Sequence, residues 1–361
     1  MPTLFDRHIA RRLIGGYVGF VLALIVFFVV LHYLEYVDDF MDRNASMAQV
    51  LGVYYPSYIP EIVRLTSPLA LFLSGLYLTT KLSAELQLTA LYAAGVSLGR
   101  IMRPYVLVGL LIAAIQFGLG GWVVPHTQRT VVAFEAEYLG DRDTQPDVSD
   151  LHRQNADGSY LTIGFYSPND SSAFRATLYG YDDARLSSRL FATRMEWVDS
   201  LAVWRLFDAT ERLYAPNGDV TVHKIQALDT TLNVGPRDLA QTERDVETMT
   251  VDEAQAHLAQ QRRTGSGNLR VSQVGLMSKF TYPLAHIALM LLCVPLGAPR
   301  RRGGAAVAFG VGLLLALIYL ATQKIAEPFG YTGLASPLFV TLMPHVVFSL
   351  LALALFWRAR K

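Results

Sequence analysis

Charge and cysteine are both scarce in this chain, and each scarcity excludes something. Charged residues make up 17% of the 361, where an ordinary soluble domain carries roughly 25%. The hydrophobic share is 52% and the mean hydropathy +0.30. That apolar excess is gathered into long runs, which indicates membrane spans and not one large core. The single cysteine, Cys293, lies inside an apolar run, so no disulfide can form within the chain and cysteine usage says nothing about compartment. A net charge of +1 gives no reason to expect nucleic acid as a partner. Chemistry-bearing motifs are missing as well. There is no G-x-x-x-x-G-K-[ST] to cradle phosphates, no H-E-x-x-H, no G-x-S-x-G and no Cys/His group at metal spacing. The glycines of Gly303–Gly312 open an apolar helix without a phosphate-binding lysine, so close helix packing explains them better. No catalytic residue, cofactor or metal is expected on this chain.

What is present is six apolar segments of about spanning length: Leu13–Leu34, Ile62–Thr80, Tyr105–Val124, Phe280–Leu296, Ala305–Lys324 and Leu338–Trp357. The fourth is the shortest and extends back to Met277 if Lys279 snorkels to the interface. The first run is too long for a signal peptide and has no small-residue cleavage site, so it reads as a retained span. Lysine and arginine sit on one side throughout: Arg7, Arg11 and Arg12; Lys81, Arg100 and Arg103; Arg300 to Arg302; Arg358, Arg360 and Lys361. The positive-inside tendency makes that side the cytoplasm, with both termini in it.

Residues Pro125–Gln273 form a hydrophilic block, expected outside the membrane. Period-two alternation predicts strands at Tyr160–Phe165, Ala176–Tyr181, Ser188–Val198, Ala202–Phe207 and Val220–Leu232. Turn signals separate them at Asn155–Gly158, Ser167–Asp170, Asp199–Ser200 and Pro216–Asp219. Thr250 and Glu253 make a capping-box pattern that opens a helix near 250–263, and Thr264–Asn268 links it back to the membrane. The expected fold is therefore six transmembrane helices, all-α, with an inserted all-β domain. Its divisions are 1–124, 125–273 and 274–361.

Two places invite a functional reading. In Lys81–Pro104, residues Leu88, Leu91, Tyr92 and Gly95 share one face of a short helix. Gly95 offers a left-handed stop and Ser97 caps the next helix. Such a face either rests on headgroups and neighbouring spans or enters a partner's groove. At span ends, His32 with Glu35 and Lys324 with Glu327 stand three residues apart. They read as interfacial pairs or as flanks of a lateral opening for an amphiphile. His286 and His345 lie within spans, where a neutral, hydrogen-bonded histidine competes with a proton carrier; beside His345, Pro344 frees a carbonyl for the imidazole.

The opening LFDRHIARRL, the stretch QLTALYAAGVSLGRIMRP, GGWVVPHTQR closing span three, and SKFTYPLAHIALMLLCVPLG with its basic tail together resemble the lipopolysaccharide export permeases. These are the paired F and G membrane subunits of an ABC-type transporter in the inner membrane. The opening, Val203–Leu206 and Gln323 look more like G than F. The resemblance implies a second homologous permease and a cytoplasmic ATPase dimer, which holds the ATP and Mg and docks on residues 86–95, here Gln87, Leu88, Leu91, Tyr92 and Gly95. It implies a periplasmic β-jellyroll that hands lipopolysaccharide to a bridge protein of similar β-fold. It also implies lipid entry past spans one and five, near His32, Glu35, Gln323, Lys324 and Glu327.

The chain departs from the family at three points. Gln87 stands where the family has a glutamate, with Glu85 two residues earlier. Tyr92 replaces a basic residue. Asp38 and Asp39 stand where basic residues would suit phosphates. An ion-coupled secondary transporter and a non-transporting scaffold are the competing readings.

Overall fold

The computed structural model describes residues 4–138, 148–156, 158–167, 170–182, 185–215, 219–236, 239, 246, 248–264, 269–299 and 304–359. The chain divides into two compact units: Met1–Gly140 with Glu247–Val251 and Gln273–Lys361, and Asp141–Val246 with Asp252–Ser272. The first boundary falls later than the 124 expected, because the helix of span three runs on past Val124.

The first unit is helical. It holds α1 (Leu4–Asp42), α2 (Met47–Gln49), α3 (Tyr55–Ala84), α4 (Gln87–Ala93), α5 (Leu98–Gly118) and α6 (Val124–Tyr138). Two π-helical turns, Val50–Tyr54 and Leu119–Val123, join α2 to α3 and α5 to α6. Later in the chain come α7 (Val251–Thr264), nearly all of it in the second unit, α8 (Leu269–Thr281), which enters the first unit at Gln273, and then α9 (Leu284–Gly297), α10 (Gly304–Tyr331) and α11 (Pro337–Ala359) of the first unit. Five stretches are long and apolar enough to cross a membrane, and a sixth results if α8 and α9, bent by 48°, form one span. Five of the expected spans are thus continuous and the fourth is broken. Pro283, which has no N–H to donate, sits at the break.

Span two, α3, is the centre of the bundle. Its buried side includes Ala70, Ser74, Gly75 and Thr79, small residues that let neighbouring backbones approach closely. A Cβ on Gly75 would lie 2.6 Å from the Cys293 sulfur on α9. Hydroxyls on α3 tie it to three other spans: Ser67 meets His286 Nε2 at 2.9 Å, Ser74 donates to the Leu13 carbonyl at 2.8 Å, and Thr79 meets the Tyr105 hydroxyl at 2.9 Å. Bonds of this kind average about 0.6 kcal/mol each in a membrane, so shape and close packing carry most of the stability. Asp6 of α1 receives a bidentate pair from Arg100 of α5 at 2.7 and 2.8 Å.

The second unit carries a six-stranded antiparallel sheet in the order β1 to β6: Val148–Ala156, Ser159–Ser167, Ser172–Asp182, Arg185–Val198, Val203–Tyr214 and Val220–Thr230. Each described strand pairs with its sequence neighbours, so the sheet is a meander, and among the described residues no crossover of the two-sheet jellyroll kind occurs. One strand went unread in the sequence: β1, VSDLHRQNA, has Leu151 as its only large apolar residue and so shows no alternation. Arg175 and Asp208 take positive φ and interrupt the pairing without changing its register, while the register shifts, as at a β-bulge, lie at Gln154/Ala156 and Gly180/Tyr181. The sheet's buried face is built from Leu161, Ile163, Met195, Trp204 and Leu206. Trp204 is fully buried and its indole N–H donates to the Val234 carbonyl at 2.7 Å. Arg205 on β5 grips Asp229 on β6 through two bonds and holds that carboxyl below the usual aspartate range.

Replacing Trp204 with alanine is expected to cost about 3–5 kcal/mol, read as an early unfolding transition in thermal melts of the full-length protein. W204F should cost less and leave the Val234 carbonyl without its donor.

Candidate functional site

The helix singled out in the sequence is present as α4, and both predicted ends hold. Gly95 takes φ +79°, and the Ser97 hydroxyl caps α5 by accepting from the Arg100 N–H at 3.3 Å. Its apolar face is divided in an informative way. Leu88 is buried at 1% exposure in the bundle core, and Leu91 packs half-buried beside it. Gln87, Thr89, Ala90, Tyr92, Ala93 and Gly95 stay exposed. The two leucines therefore anchor α4 to its own spans, and the surface left outward is small and weakly polar. Gln87 donates to Glu85 at 2.8 Å, so the two residues that compete for one role are in direct contact. Tyr92 borders a groove of about 550 Å³ with Pro295, Leu296, Leu355 and Arg358. The groove takes part of the otherwise exposed ring out of water, and that desolvation pushes the hydroxyl pKa up.

The second group of candidates separates into two places. On α1, His32 sits in a tyrosine cluster. Its ring nitrogens lie 3.3 Å from the hydroxyls of Tyr55 and Tyr54, and its ring faces Tyr36 at 4.5 Å and Tyr58 at 5.1 Å. Tyr54 in turn donates to Glu135 of α6 at 2.7 Å. Glu35 remains exposed. The first π-helical turn ends at Tyr54, and such turns often mark functional positions.

Gln323, Lys324 and Glu327 of α10 line a different cavity of about 450 Å³, whose walls include Glu61, Arg64 and Tyr282 but neither His32 nor Glu35. Lys324 pairs with Glu327 at 3.2 Å. Glu61 and Arg64 form a bidentate pair at 2.6 and 2.7 Å, and the guanidinium lies 5.2 Å from the centre of the Tyr282 ring. The cavity owes its room to two departures from regular helix, the second π-helical turn, which carries Gly120, and the break at Pro283. His286 is hydrogen-bonded between Ser67 Oγ at 2.9 Å and the Pro283 carbonyl at 3.0 Å. His345 differs from expectation: Tyr319 on α10, at 2.7 Å, is its partner in place of a carbonyl freed by Pro344.

Residues 7–358 match the family description "lipopolysaccharide export system permease LptF/LptG". The chain belongs to this family. It is a lipopolysaccharide export permease, a multi-pass protein of the inner membrane and not an enzyme, and the match does not separate the F from the G type. No curated protein matches the chain. The matched region takes in α4, the inserted β-sheet and all but the outermost residues of the permease's first and last helices.

Sequence reasoning missed Glu61, Arg64, Gln116, Tyr54 and Glu135. The first two stand three apart at the edge of an apolar run, the same spacing noticed at 324 and 327. Gln116 was visible as a lone amide within span three. Nothing local marks Glu135, whose partner Tyr54 is 81 residues away. In a cysteine-scanning experiment on the permease, A90C and A93C should label with a thiol reagent on at least about a hundredfold shorter timescale than L88C, since burial of the last requires local opening.

Proposed function

We propose that this permease is one half of an ATP-driven extractor that lifts lipopolysaccharide from the inner membrane and delivers it to a periplasmic bridge protein of similar β-fold. A second homologous permease completes the cavity. A cytoplasmic ATPase dimer, holding the ATP and Mg, docks on α4, and the β-sheet unit stands in the periplasm. The observation that carries this reading is the family match across the two spanning halves, with α4 presenting an outward surface between α3 and α5.

The helix contacts support a mechanical route. Leu88 is seated in the core, so a push on the exposed side of α4 is passed to the spans beside it. Glu85 and Leu86 separate α4 from α3, and Leu86, itself exposed, holds the left-handed backbone at which the chain turns from one helix into the next. The Asp6–Arg100 pair then links the first turn of α5 to the first turns of α1. Closure of the motor on ATP thereby reaches α1, one wall of the cavity, and squeezes acyl chains toward the β-sheet unit. Lipid enters past spans one and five. On a single chain the His32 cluster and the Gln323–Glu327 group lie in separate places, so each permease supplies one flank to each of two openings when two permeases pair. Contact with the motor rests on shape and small side chains, because Gln87 and Tyr92 replace the charged residues of the family pattern.

Charged substitutions on the outward face test this. A90E together with A93E should abolish co-purification of the ATPase and ATP-driven lipid release, with membrane insertion and thermal melting unchanged. L91D is a poorer probe, since Leu91 also packs against the bundle. Full ATPase co-purification with A90E/A93E would remove the docking role.

A further inference from the structure

The cavity between α3, α5, α8 and α10 holds a feature that lipid entry alone does not explain. Gln116 is 3% exposed, lines this cavity, and its side-chain oxygen has no hydrogen-bond partner among the described residues. A buried acceptor left unmet by the protein costs about 1–3 kcal/mol, so a donor that enters the cavity is favoured there. Around it the chain abandons regular helix twice. Leu119–Val123 is π-helical, and a Cβ on its Gly120 would come within 3.3 Å of the Arg64 side chain. Helix α9 starts anew after Pro283. Irregular backbone at this depth is tolerated where it lines a polar cavity, and π-bulges recur at functional sites.

The cavity's charged side chains, Lys279 among them, all have partners. Arg64 is committed to Glu61, and Lys324 to Glu327. What is left over is an acceptor at Gln116 and the amide of Gln323, 9% exposed on the opposite wall. A phosphate carries acceptors only and so cannot satisfy the Gln116 oxygen. Hydroxyl groups offer donors to the amide oxygen and acceptors to an amide N–H. The volume, about 450 Å³, falls within the range of about 300–1,000 Å³ that suits a small polar ligand.

We propose that this cavity is a subsite for an uncharged, hydroxyl-rich sugar, with Gln116 accepting one of its hydroxyl hydrogens. The inference rests on the permease reading, which supplies a lipid with a sugar headgroup, and a free sugar would satisfy the same groups. The test uses the full-length S278C protein with its co-purifying partners, in phosphatidylethanolamine–phosphatidylglycerol nanodiscs. Ser278 lies half-buried on the cavity wall, and the native Cys293 is fully buried and silent. Lipopolysaccharide in the nanodisc should slow labelling of the S278C thiol about tenfold at saturation. A soluble disaccharide should do so instead if the source is free sugar. Inorganic phosphate should change nothing. Adding Q116L, or Q116M as a second variant of similar bulk, should raise the sugar or lipid concentration needed about five- to tenfold, the worth of one hydrogen bond. Protection by inorganic phosphate, no protection by any addition, or protection indifferent to both Gln116 variants would overturn the subsite. ATP-driven lipid release measured on the same preparation keeps the two ideas apart: release with an unprotected thiol sinks the subsite alone, and no release by the unsubstituted protein sinks the permease reading.

Discussion

Close approach at α3 is the constraint on which the helical unit depends. Lipid tails give apolar helices no reason to prefer each other, so a bundle in a bilayer has to be held by shape and by a few hydrogen bonds. In α3 the most apolar window is 72% buried, compared with 11% in α1. The residues that allow this are small or hydroxylic: Ser67, Ala70, Ser74, Gly75 and Thr79. Because their hydroxyls reach α1, α5 and α9, the three neighbours keep a fixed spacing about one axis. The outward surfaces of α1, α5 and α10 stay apolar and uncovered within the chain, available to lipid or to a second permease.

That arrangement places the two irregular regions where they matter. The first π-helical turn ends at Tyr54, which reaches His32 and Glu135, and the second carries Gly120, whose lack of a side chain leaves room for Arg64. The break at Pro283 adjoins Tyr282 of the same cavity wall. Regular helix would have sealed both regions. Helix α4 lies apart from them and is held by fully buried Leu88 with half-buried Leu91 beside it. An element with so little burial of its own moves with whatever grips its free side.

The spans were legible because a run of about 20 apolar residues has few other uses, and α4 was legible because Gly95 and Ser97 punctuate it. Four of the later strands, together with β2, showed alternation, but β1 did not, since a polar edge strand with one buried leucine has no pattern to read. The bend in the fourth span was not legible, since hydropathy averages over Pro283 and cannot register it. The division of α4's apolar face was also beyond periodicity, which gives Leu88 and Tyr92 to the same side without telling which neighbour receives them. Of the candidate gate residues, Gln323, Lys324 and Glu327 do come together around one cavity. His32 joins tyrosines from another helix instead of Glu35, a long-range pairing that no local spacing encodes.

The account's central claim is that α4 and the β-sheet unit lie on opposite sides of the membrane, the motor against one and the lipid's destination beside the other. Sidedness of labelling tests it directly. With a membrane-impermeant thiol reagent on intact spheroplasts, T221C on the exposed strand β6 should react and A90C should not, and permeabilisation should expose A90C. Equal reaction of both in intact spheroplasts, or protection of both until permeabilisation, would contradict the account.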